Sequence, residues 1–439
     1  MSLSESAGAM IQINRSPNTE LRCAFIAVLL RCAFIATFSA RFFMRCRRSI
    51  MVSLIILFIS PAMAGATYAQ ETPQSAVQDI LEEQLKALDT SELEGFLREV
   101  DQSVKQYLPE VSLVEILRRP GLAPRMRPSN VGTGIIAIIF RELRANMHLL
   151  GQLVCLAVLC NFLTALVAGI GSEGVTNVAR WVSFLVLALI GLNSFRITIS
   201  IARGAIFSMT SLMYVLLPSM FSLLAAVGGI AQVGVLSPLL LASTNMVANI
   251  VSRFAFPAIF TSGLFEVLGM TSDRVHVSQL AGLFRAAAAM VLGLSFAIFL
   301  GIATVQEAGA SAVDGVAVRS AKFLASTFIP VIGKLFSDAV SVAASCSLLI
   351  QNSLKVIGLL SVFVICFEPI VKILAVVVMY RLAAALVEPL GDERIAKSLG
   401  ALGNSLTMVA VVVGLVALMF FVIIGMLSGF ASVTAYSRS

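Results

Sequence analysis

Two pairs of opposite charges stand four residues apart in an apolar part of the chain. Lys334 and Asp338 form one pair, Glu368 and Lys372 the other. A spacing of four puts both members on one face of a continuous helix, where carboxylate and ammonium can meet. Charges near hydrocarbon are costly. They are kept where a partner, a polar cavity or the headgroup zone receives them. The chemistry on offer is therefore a polar path or an assembly contact, not the making of a bond. Pro330 and Gly333 lie just before the first pair and can hold a helix break open there. Lys355, Arg381, Glu388 and Asp392 lie in or beside the same apolar stretch. Pro369 falls inside the second spacing and weakens that pairing, which favours Lys334 with Asp338. The competing reading is plainer: these are interfacial charges at segment ends, with long stems reaching the headgroups.

Nothing else in the sequence has the pattern of an enzyme. There is no GxxxxGK[ST] phosphate loop, no HExxH and no serine elbow. The two histidines, His148 and His276, stand alone and read as surface residues. The seven cysteines form no CxxC pair. Those in apolar segments, Cys155, Cys160, Cys346 and Cys366, read as small buried hydrophobes. No cofactor and no metal are expected. The basic balance of +7 reads as charge that sets topology beside lipid, and no motif or basic helix supports nucleic-acid binding.

The elements that must hold the charged residues are long apolar segments. Residues 340–390 alone hold enough apolar length for two passages of roughly 20 residues each. Similar segments occur at 149–170, 181–199, 206–227, 235–260, 281–305 and 407–427. With 340–363 and 370–386 they make eight expected passages. Arg196 and Arg253 flank or interrupt these runs, and the stretch from Arg196 to Arg203 reads as a loop. Hydrophobic residues make up 58% of the chain and charged ones 13%, against about 25% charged in soluble domains. The expected class is all-α, a polytopic membrane protein.

The chain before the first passage divides by composition. Residues 1–43 contain a near-duplicate, LRCAFIAVL then LRCAFIATF, and read as an extension before the native start at Met44. Residues 44–69 read as a signal peptide: Arg45, Arg47 and Arg48, a ten-residue apolar core, then small-residue cleavage sites ending at Ala64 and Ala69. Residues 70–127 form an acidic helical region and a basic linker. Between 70 and 117 eleven acids face three bases. Apolar residues such as Leu93, Leu97 and Val100 recur there at helical spacing, fit for a small helical cap or for docking a partner protein. Residues 128–439 open on an amphipathic, interfacial helix, expected over 132–150, and continue as the multipass domain. The leader places the region after it outside the cytoplasm. Eight passages would leave the C-terminus there too, with Arg196 to Arg203 on the side that the positive-inside trend disfavours.

Several strings are distinctive in this order: AKFLASTFIPVIGKLFSDAV from Ala321, CSLLIQNSLKVIG from Cys346 and YRLAAALVEPLGDERI from Tyr380. Together with the leader, the acidic region and the multipass body, they resemble the stage III sporulation protein AE family from about Met44 to Gly429. The resemblance implies a non-enzymatic membrane subunit of the channel, or feeding-tube, complex linking mother cell and forespore, needed for late forespore development. It implies a place in the mother-cell membrane around the forespore. It also implies partners among the other stage III sporulation complex subunits, including a separate ATPase and ring-forming membrane proteins. The broken segments and charges near lipid leave an alternative, an independent secondary transporter or permease.

Overall fold

The computed structural model describes residues 95, 98, 128–170, 173–226, 230–271, 277, 279–302, 332–390 and 393–436. All of them lie in one compact unit, Met63–Ser439. The expected leader and the start-site reading fall outside the described residues, and so does nearly all of the acidic region. Every described element is a helix. In chain order these are α1 (Pro128–Ala145), α2 (Met147–Ile170), α3 (Glu173–Ala226), α4 (Ile230–Ile250), a π-turn (Val251–Ala255) and α5 (Phe256–Thr271). There follow α6 (Gln279–Ile302), α7 (Ile332–Val387), a short 3-10 turn (Glu388–Leu390) and α8 (Glu393–Tyr436).

Six helical spans among the described residues are long and apolar enough to cross a membrane. The chain is an all-helical, polytopic membrane protein. The expected count of eight passages is corrected, because two pairs of apolar segments are each carried by one helix. α3 contains 181–199 and the second segment from 206 as far as Ala226, and α7 contains both 340–363 and 370–386. Residues 196–203 read RITISIAR. They hold no proline or glycine, so nothing there ends a helix, and Thr198 donates its hydroxyl to the Ser194 carbonyl at 2.9 Å. Pro369 does not stop α7. A proline inside a helix removes one backbone donor, which tertiary packing can offset in a bundle.

The expected passage 235–260 runs on to Thr271 through the π-turn. There Phe256 N–H bonds the Val251 carbonyl, five residues back. Pro257 follows at once, and the wider turn accommodates its ring without a break. The helix expected over 132–150 is interrupted at Asn146, whose side-chain amide donates to the Glu142 carbonyl at 2.8 Å. α1 therefore ends at Ala145 and packs on α7.

The core is a seam between α7 and α8, with α3 against both. Gly403 meets Tyr380 at one end, and Gly358 meets Ile424 further along, so α7 and α8 run antiparallel. Tyr380 with Gly191 and Gly358 with Leu216 give α3 the opposite sense to α7. α8 is the central element: its span is 67% buried, against 18% for that of α1 and α2 and 22% for α6. Close approach at the seam requires glycine. A Cβ on Gly358 would lie 2.7 Å from Leu216 Cδ2 and 3.2 Å from Ile424 Cδ1.

Candidate functional site in the helical bundle

α7 is continuous through Pro369, so Glu368 and Lys372 share a face, and Lys372 Nζ donates to Glu368 Oε1 at 2.6 Å. Both side chains are about one-third exposed. This is the pair that Pro369 was expected to weaken. Gly333, Lys334 and Asp338 lie in the first turns of α7, with the backbone described and the side chains outside the described residues. Pro330 and Asp392 are outside them altogether.

Lys355 is half-buried in the middle of α7. Arg381 is exposed and donates to Thr407 Oγ1 of α8 at 3.4 Å. Glu388 is exposed in the 3-10 turn after α7. From Lys355 to Arg381 the helix rises ~39 Å. Among the described side chains, the expected site residues come together as the pair Glu368–Lys372 and are otherwise strung along one helix. His148 is exposed, as expected of a surface residue. Cys160, Cys346 and Cys366 are buried, as expected of small hydrophobes, whereas Cys155 is exposed.

A second polar junction was missed from the sequence. Glu266 near the end of α5 forms an ion pair with Arg285 near the start of α6. Ser405 of α8 points its hydroxyl at the same carboxylate oxygen, 3.5 Å away. One turn earlier, the Ser262 hydroxyl donates to the Ala281 carbonyl at 2.8 Å. Gly263, between them, lets Phe195 of α3 approach: a Cβ there would lie 2.5 Å from Phe195 Cε1. Lone charges of opposite sign on either side of a short helix break were the available signal. Local spacing does not say which helix ends will meet.

Two further bonds tie the core. The buried Tyr380 hydroxyl donates to the Gly191 carbonyl at 2.7 Å. The Gln351 amide donates to the Leu427 carbonyl at 3.1 Å. Such bonds fix register between apolar helices, where an unmet polar group is expensive. Among the described residues no group of three or more His, Cys, Asp or Glu is placed to hold a metal. The arrangement can carry charge pairing, helix registration and assembly contacts.

The family profile of stage III sporulation protein AE matches residues 123–431. The stage III sporulation protein AE of Bacillus subtilis (strain 168) is 30% identical over 374 residues, which cover 85% of this chain and 94% of that protein. No solved structure matches. The family match spans α1 to most of α8 and so includes the seam and both ion pairs. The chain belongs to the stage III sporulation protein AE family.

Proposed function

We propose that this sporulation protein is a non-enzymatic integral membrane subunit of the channel complex that links mother cell and forespore. In this reading it sits in the mother-cell membrane around the forespore, behind a signal peptide at 44–69 and with residues 70–127 outside the cytoplasm. The observation that carries the reading is family membership over most of the chain. The bundle supports it, since Glu266 with Arg285, Tyr380 with Gly191 and Gln351 with Leu427 tie helices together. Lys334 and Asp338, at the start of α7, are kept as path or assembly residues.

Mild-detergent extraction from sporulating cells tests the proposal. The chain should bring with it other stage III sporulation complex subunits, among them a separate ATPase and ring-forming membrane proteins. A chain recovered alone that carries solute flux in vesicles would instead be a transporter, and the proposal would fail.

A further inference from the structure

The outward face of α3 changes character along its length. Large apolar side chains stand out at Trp181 (52% exposed) and Leu189, and again at Phe207 and Tyr214 (40% exposed). Between Leu189 and Phe207 the polar exposed residues are Asn193, Arg196, Ser200 and Arg203, with Ile197 and Gly204 exposed beside them. Steps of three and four keep the polar four and the apolar residues above and below them on one stripe. The neighbouring α4 and its π-turn carry exposed Asn245, Asn249 and Arg253 at the same place, with Met246 and Phe254 exposed between and beside them.

The two polar sets share a level. The Arg203 guanidinium carbon lies 5.9 Å from the centre of the Phe256 ring, and Phe256 follows Arg253 by three residues. On α7 the antiparallel register set by Gly191–Tyr380 and Leu216–Gly358 brings Glu368 and Lys372 to the same level. The bundle therefore has a waist that gathers exposed arginines, with Ile197 and Phe254 among them and apolar surface on both sides.

Length decides what the waist means. From Trp181 to Tyr214 the helix rises ~50 Å. A bilayer offers ~30 Å of hydrocarbon, and a tilt of 40°, the top of the usual range, still leaves ~38 Å along the normal. One bilayer does not cover both apolar bands.

On the Tyr214 side the uncharged lengths match one bilayer. Arg203 to the end of α3 at Ala226 and the start of α4 at Ile230 to Arg253 each rise ~34 Å. On α7 Lys355 is the one charge between Asp338 and Glu368. Its side chain is half-buried in the bundle, as charges within membrane spans generally are. On the Trp181 side charges recur, at Glu266, Arg285, Arg381 and Lys397.

We propose that Arg196, Arg203 and Arg253 bind phospholipid headgroup phosphates and mark one surface of the bilayer, with hydrocarbon on the Tyr214 side. A guanidinium presents planar paired donors that fit phosphate oxygens. Three on adjacent helices make a site for anionic lipid. Trp181 then lies ~33 Å up the helix from Arg203, beyond the headgroups.

Trp181 is the one tryptophan of the chain, so depth can be read on the full-length protein in vesicles of phosphatidylglycerol and phosphatidylcholine with brominated acyl chains. Trp181 is compared with a tryptophan introduced by Tyr214→Trp in a Trp181→Phe background. The expected result is strong quenching at position 214 and none at 181. Equal quenching at both, or quenching of Trp181 alone, overturns the proposal.

A second arm places tryptophan at the waist by Ser200→Trp, with Trp181→Phe, and brominates one lipid class at a time. Phosphatidylglycerol should be preferred by about fivefold for each arginine engaged. The preference should fall toward unity when Arg196, Arg203 and Arg253 are changed to Gln. No preference in the parent protein would point to a carboxylate-bearing protein partner and overturn the headgroup assignment. Loss of the preference on adding millimolar inorganic phosphate would make a soluble anion the ligand, with the same consequence.

Discussion

Glu368–Lys372 and Glu266–Arg285 are both carboxylate–cation pairs in apolar surroundings, yet they belong to different kinds of structure. The first lies within one helix, on consecutive turns of α7, with side chains 32% and 37% exposed. The second joins α5 to α6 and lies against Ser405 of α8, with side chains 19% and 34% exposed. α7 would be a helix without its pair, because its backbone bonds and its packing on α8 and α3 do not pass through those side chains. The α5–α6 corner has no such independence. Its pair, with the Ser262–Ala281 bond beside it, fixes where two helix ends meet the core. An ion pair in such a bundle matters according to how many elements it joins more than according to how good its distance is.

The largest effect is expected from Arg285→Met, which strands the Glu266 carboxylate. Unfolding from mixed micelles should show a loss of about 3 kcal/mol, in the range for breaking a buried pair. The double change with Glu266→Gln should cost less than the sum of the single ones. If Arg285→Met costs no more than Lys372→Met, the contrast between the two regions is broken.

Next in size is Gly263→Ala, which drives a methyl group into the Phe195 ring beside the same junction. A loss of about 1–3 kcal/mol is expected from overpacking. Gly293→Ala on α6, where a Cβ meets nothing within 4 Å, should be neutral or slightly stabilising under the same assay. A comparable loss at both sites would show that an added methyl group is costly along these helices generally and that the corner is not special.

Tyr380→Phe removes the bond to the Gly191 carbonyl between α7 and α3 and should cost about 1 kcal/mol. Hydrogen exchange should rise around Gly191 and stay unchanged at α6. Uniform exchange across the bundle would mean that the bond has no local role.

The smallest change is expected from Lys372→Met, about 0.5 kcal/mol, as for a pair on one helix face. Its coupling to Glu368→Gln should be of similar size. A coupling as large as that at Glu266 would show that the α7 pair bridges to something beyond its own helix.

The residues that were legible and those that were not differ for the same physical reason. Hydropathy marks segments that must avoid water, so the all-helical membrane class could be read directly. A spacing of four is a property of the helix itself, so Glu368 with Lys372 could be read as well. Continuity could not. Arg196 to Arg203 and Pro369 look like boundaries when each segment is measured against one bilayer, but a charge does not end a helix and a lone proline need not. The meeting of Glu266 with Arg285 depends on how a seven-residue connection turns the chain, and nothing in the local pattern of either helix specifies that. The favoured pair, Lys334 with Asp338, belongs to the opening turns of α7, while the junction that gathers three helices lies elsewhere.

The π-turn at Val251–Ala255 sets the phase of everything that follows it on the same rod. One residue more or less rotates the downstream helix by about 100°. The wide turn lets Arg253 and Phe254 face outward while Phe256 and Ile259 face the core. Deleting a single residue there would swing Glu266 a quarter-turn or more away from Arg285 and turn Gly263 off the Phe195 ring. Chain length at this point is thus a vernier: an insertion or deletion in the turn must be answered by another before Gly263 if Gly263 and Glu266 are to keep their partners.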